Sequence, residues 1–160
     1  MPLTTRTRAA LFLFLWIVVI AVFSTSLAAH GTVTQLLLRL SRAAGAGYSR
    51  PQIESAAWLL RKTAHPVAYG VLAFLLLNYL SVRFAPERPV PPVRLYAIAF
   101  ALAVLVGFID ELHQSIVPQR GGSAVDVLLD AGGAALALLA HYVLTAWRRN
   151  RAPTPRPRTR

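Results

Sequence analysis

Long apolar runs constrain this chain more than any other feature. Four of them, at about residues 9–28, 66–82, 93–109 and 124–146, each approach the ~17–25 residues that carry a helix across a bilayer. A chain of 160 residues has too small an interior to bury four such helices on every side, so much of their surface must face lipid. Charged residues make up 14% of the chain, against roughly a quarter in soluble proteins. The expected fold class is therefore an all-α integral membrane protein with four transmembrane helices, built as a single domain over residues 1–160. There are no cysteines, which excludes disulfides and thiolate metal ligands.

The net charge of +11 would suit a nucleic-acid binder if it were spread over one surface. It is instead gathered in Met1–Arg8, Arg83–Arg94 and the tail Arg148–Arg160, which are alternate connections of a four-helix layout. That side holds eleven Lys and Arg; the other holds six, Arg39, Arg42, Arg50, Arg61, Lys62 and Arg120. This is the positive-inside pattern, and it predicts both termini in the cytoplasm. The bilayer is thus the expected partner and nucleic acid is not. Residues 148–160 are expected to form a disordered basic tail near anionic headgroups. The first apolar run is longer than the core of a typical signal peptide, so it is read as a retained anchor.

Residues 29–64 then lie outside the cytoplasm. Val33, Leu36, Leu37 and Leu40 recur at helical spacing, as in a short helix lying in the membrane interface. Gly45 and Gly47 break it. Ser49 and Gln52 resemble a capping box, with Pro51 in the first turn of a second amphipathic stretch. The second spanning helix is expected to begin near His65-Pro66, with a kink or a fresh start at the proline. The third helix runs outward, and residues 110–123 return to the fourth on the same side as residues 29–64.

Polar residues converge on that side. Lys62, His65 and Tyr69 stand at i, i+3, i+7 and share a face if the helix continues through Pro66. Asp110, His113 and Gln114 stand at i, i+3, i+4, with Glu111 on a neighbouring face. Asp126 and Asp130 are one turn apart inside the last apolar run, followed by Gly132 and Gly133, where another helix can approach closely. An intramembrane carboxylate costs about 2.5–3.5 kcal/mol unless paired or hydrated, so these acids require partners. Arg61, Lys62, Arg120, His65 and His113 are the available donors, and one shared polar pocket would satisfy them together.

The order K-x-x-H-x-x-x-Y, D-E-x-H-Q, P-x-R and D-x-x-x-[N/D]-x-x-G resembles the VanZ-like membrane proteins. Here it is carried by Lys62/His65/Tyr69, Asp110/Glu111/His113/Gln114, Pro118/Arg120 and Asp126/Asp130/Gly133, within residues 55–145. Two positions depart from the pattern: Asp130 stands where Asn is more frequent, and Pro66 where an apolar or aromatic residue is usual. The resemblance implies a bacterial inner-membrane protein of the cell envelope, with a link to tolerance of the glycopeptide teicoplanin.

Three chemistries fit the residues. In the first, Lys62, Arg61 and Arg120 clamp an anionic group of a lipid-linked or peptidoglycan-related ligand, with Tyr69, Gln114, Asp126 and Asp130 lining the pocket. Glu111 or Asp110 with His113 or His65 would then transfer protons. Binding without catalysis uses the same residues. The second is a metal-dependent membrane hydrolase with His65, His113, Asp110 or Glu111, and Asp126 as ligands, although no spacing such as HExxH occurs and no metal is assigned. The third is a small proton-coupled transporter, with Asn78 as the clearest polar residue further along the membrane. No cofactor is indicated.

Overall fold

The computed structural model describes residues 3–25, 30–88, 91–117 and 121–151. They form five helices: α1 Thr5–Phe23, α2 His30–Ala43, α3 Arg50–Phe84, α4 Val93–Ile116 and α5 Ala124–Arg151. Four of these, all but α2, are long and apolar enough to cross a membrane. Their surfaces agree with that role. Of the 19 residues of α1 only Ala9 and Ile20 are buried, while Phe12, Phe14, Leu15 and Phe23 are exposed. An all-helical chain with so much apolar surface needs lipid around it, and the protein is a multi-pass membrane protein.

α3 is the axis of the fold, packed against each of the other four helices. At ~1.5 Å per residue its 35 residues run about 52 Å, well beyond the ~30 Å hydrocarbon core. The fresh start that was one alternative at Pro66 does not occur: the amphipathic stretch after Arg50 and the second spanning segment form this one helix. A proline removes only one intrahelical hydrogen bond, and a close neighbour can support the backbone there. The start is set as the sequence suggests, with the Ser49 backbone N–H donating to Gln52 Oε1 at 2.8 Å and Pro51 in the first turn.

That neighbour is α5. A Cβ added to Gly133 would collide with the backbone of Pro66, and one added to Gly70 would lie 3.1 Å from the Gly133 carbonyl oxygen. The two backbones touch with nothing between them, which glycine alone permits. Gly132, also expected to serve close approach, has nothing within 4 Å of its Cβ position. The core below this contact is built from Leu72, Ala73, Leu77, Ala99, Ala103, Ala134 and Leu138.

Two boundaries differ from the expectation. α4 continues seven residues past Ile109 to Ile116, carrying the acidic stretch on a helix rather than in a turn. α5 continues to Arg151, so the first residues of the expected disordered tail are helical. The Arg151 guanidinium stacks over the Trp147 ring, 4.1 Å from its centroid, which supports that last turn. Residues 152–160 lie outside the described residues.

Candidate functional site: a buried polar cluster beside an apolar cavity

α3 presents Arg61, Lys62, His65 and Tyr69 along one face because His65 and Tyr69 follow Arg61 at i+4 and i+8 and Lys62 at i+3 and i+7. Their partners come from α4 in descending order (Gln114, Glu111, Gly107) and from α5 in ascending order (Asp126, Asp130, Gly133). α4 is therefore antiparallel to α3 and α5 is parallel to it. This arrangement brings the α4–α5 connection back to the end of the bundle where α3 begins.

The contacts fall into two layers. In the first, Lys62 Nζ pairs with Asp126 Oδ1, and Arg61 Nη2 lies 3.7 Å from Asp126 Oδ2. Arg61 Nη2 also donates to Gln114 Oε1 at 3.3 Å, and Gln114 Nε2 donates to Asp110 Oδ2 at 2.8 Å. Gln114 thus links the arginine to a second carboxylate. In the next layer His65 Nδ1 lies 3.2 Å from Asp130 Oδ1 and 3.7 Å from Glu111 Oε1. The Ser123 backbone N–H donates to Glu111 Oε2 at 2.8 Å, tying the start of α5 to α4. The Tyr69 ring stacks beside His65 with centroids 6.5 Å apart and planes 20° from parallel.

This cluster is buried. Glu111, Asp126, Asp130 and Tyr69 retain 4, 2, 1 and 2% of their exposure. Such burial of ionisable groups demands compensation, and it is incomplete. Arg61 Nε, Tyr69 Oη and Glu111 Oε1 are buried with no hydrogen-bond partner among the described residues.

Next to the cluster is a cavity of about 360 Å³ between α1, α2, α3 and α4. Trp16, Ile20, Val33, Ala57 and Leu60 are among its apolar walls, and Arg61, His65, Tyr69, Asp110 and Gln114 form its polar part. α1 is fastened there by the Trp16 indole N–H, which donates to the Ala68 carbonyl at 3.0 Å.

The residues expected from the sequence therefore have different placements. Lys62, His65, Tyr69, Asp110, Glu111, Gln114, Asp126 and Asp130 are brought together. His113 does not join them. It shares the helix but points elsewhere, is exposed, and lies 3.0 Å from Ser24 Oγ at the end of α1. Arg120 lies outside the described residues. Arg61, one of the expected donors, belongs to the cluster; its i, i+4 relation to His65 is the signal that places it on the same face. Trp16 and Val33 carry no such signal, since nothing local in α1 or α2 links them to a site on α3. Asn78 is exposed, while His141 hydrogen-bonds Tyr96, 2.9 Å between Nδ1 and Oη, away from the cluster.

Fold and cluster together define a multi-pass helical membrane protein with buried carboxylates gathered toward one end of its bundle. A family model described as VanZ/LLP1 matches residues 9–145, and the chain belongs to that family. The match takes in α1 and α2 as well as the 55–145 region that carries the motifs. No curated protein and no solved structure shows a significant match to the chain.

Proposed function

We propose that this protein acts in the cell envelope by binding or modifying a lipid-linked, anionic, peptidoglycan-related ligand, and that it contributes in this way to teicoplanin tolerance. The observation that carries the reading is the continuity of the apolar cavity with Arg61, whose buried Nε has no hydrogen-bond partner among the described residues. An apolar chain between α1 and α3 and an anionic headgroup at Arg61 would use both halves of that space. The volume falls within the ~300–1,000 Å³ usual for small-molecule pockets. An incoming phosphate or carboxylate would accept from the free Nε–H, a charge-assisted contact. His65 and Asp110 border the same space and would be the groups to exchange protons with the headgroup.

On this reading the protein lies in the bacterial inner membrane with both termini cytoplasmic, as the distribution of eleven against six basic residues supports. The cluster then opens at the outer leaflet, where cell-wall precursors are used.

The test pairs a chemical readout with a cellular one. Lipid mass spectrometry of the purified protein is expected to find a co-purifying prenyl or acyl phosphate, lost in Arg61→Ala and kept in Arg50→Ala. Arg50 is a suitable control because it pairs with exposed Glu54, away from the cluster. Teicoplanin susceptibility of cells expressing each variant should follow the same order at equal membrane levels. Equal lipid content in the two variants, or wild-type tolerance with Arg61→Ala, would overturn the reading.

A further inference from the structure

The second layer of the cluster has a feature that ligand binding in the cavity leaves unexplained. Asp126 is matched by Lys62 and Arg61, and Asp110 by Gln114. Glu111 and Asp130 have a single side-chain partner between them, His65, among the described residues. Two carboxylates that are 4% and 1% exposed face one imidazole, and the inward oxygen Glu111 Oε1 has no hydrogen-bond partner among the described residues. Two like charges in a low-dielectric interior repel strongly unless something positive lies between them.

We propose that His65, Glu111 and Asp130 form a binding site for one divalent transition cation, of the zinc or manganese type. One ligand atom from each of the three lies within 4.8 Å of the other two. At metal–ligand distances near 2.1 Å, the donor atoms around a tetrahedral ion are ~3.4 Å apart. His65 Nδ1 stands 3.2 Å from Asp130 Oδ1 and 3.7 Å from Glu111 Oε1, on either side of that spacing. One imidazole nitrogen with two carboxylate oxygens is an N/O donor set suited to zinc or manganese; magnesium, which favours oxygen throughout, fits it less well.

The surroundings hold the three donors in place. Ser123 N–H occupies the other Glu111 oxygen, which leaves Oε1 turned to His65. Gly107 lies against both the Tyr69 ring and the Asp130 carboxylate, at 3.4 and 3.5 Å from its Cβ position, so the wall there is already close. The buried Tyr69 hydroxyl stands on the ring stacked beside His65. This set differs from the one suggested by the sequence, because His113 is engaged with Ser24 and Asp126 with Lys62. His65 also lines the cavity, so the cation would have one side toward whatever occupies it.

The site shares His65 with the ligand reading above but does not rest on it, and it is tested without lipid ligand. The full-length protein in detergent is stripped with chelator and titrated with Zn²⁺ or Mn²⁺ alone, with bound metal counted by elemental analysis. The expected result is one ion per chain, with affinity weakened more than ~10-fold in Glu111→Gln and in Asp130→Asn, and unchanged in His141→Ala. The amide variants keep the size of the native side chains, and circular dichroism confirms that they remain helical. No saturable binding by the wild type, or equal binding by the amide variants, would overturn the site. Either outcome is separable from loss of lipid on Arg61→Ala, which is measured on a different residue with a different probe.

Discussion

The chain's only lysine sits against a carboxylate that is 2% exposed, and this pairing sets the first layer of the cluster. Removing one partner of a buried pair costs about 3–5 kcal/mol, because the survivor is left charged and dry. Lys62→Ala should approach the low end of that range, since Arg61 at 3.7 Å takes over part of the pairing. Asp126→Asn should cost less, because Lys62 is a quarter exposed and can reach water. The combined Lys62→Ala/Asp126→Asn protein should recover much of the loss, as a double-mutant cycle of unfolding in detergent will read. A coupling near zero would show that water, rather than the protein, balances these charges. At this scale the sequence was most legible where spacing is local. The face shared by Lys62, His65 and Tyr69, and the i, i+4 placement of Asp126 and Asp130, follow from helix geometry. Which acid meets which cation did not follow, because that depends on the register between helices. His113 shows the same limit: its spacing from Asp110 and Gln114 is helical, but its partner is Ser24, 89 residues away.

Between elements, the α3–α5 contact positions the site. The backbone approach at Pro66 and Gly133 lies one residue from His65 and three from Asp130, so it controls the distance between them. Gly133→Ala should force the helices apart and destabilise the protein by at least ~1–3 kcal/mol, the usual range for overpacking. Gly132→Ala meets open space and should be neutral or stabilising by up to ~1 kcal/mol through helix propensity. Thermal unfolding in detergent distinguishes them, and equal shifts would show that the backbones do not touch. Both glycines looked equivalent in the sequence; only the direction each faces separates them. The helices themselves were largely legible from apolar period, charge and capping residues. The uninterrupted α3 was not, because the support that lets it pass Pro66 comes from α5, some 65 positions away in the chain.

For the whole molecule, the parallel course of α3 and α5 has a direct topological consequence. If both run inward, the start of α3 and the α4–α5 connection share the outer side, and residues 83–94 lie in the cytoplasm. A reporter active only outside the cytoplasm should therefore be active when fused after residue 45 and silent after residue 88. The reverse result would overturn the orientation. The number of spans was readable from composition, whereas the cavity was not, since it exists only where α1 and α2 meet α3 and α4. α1 adds a further consequence. It leans on α3 while most of its surface is exposed, so this wall of the cavity is a single helix with the bilayer behind it. On the proposed reading, ligand reaches Arg61 sideways out of the leaflet. Its supply is then two-dimensional, and occupancy follows the mole fraction of ligand among lipids rather than its concentration in water.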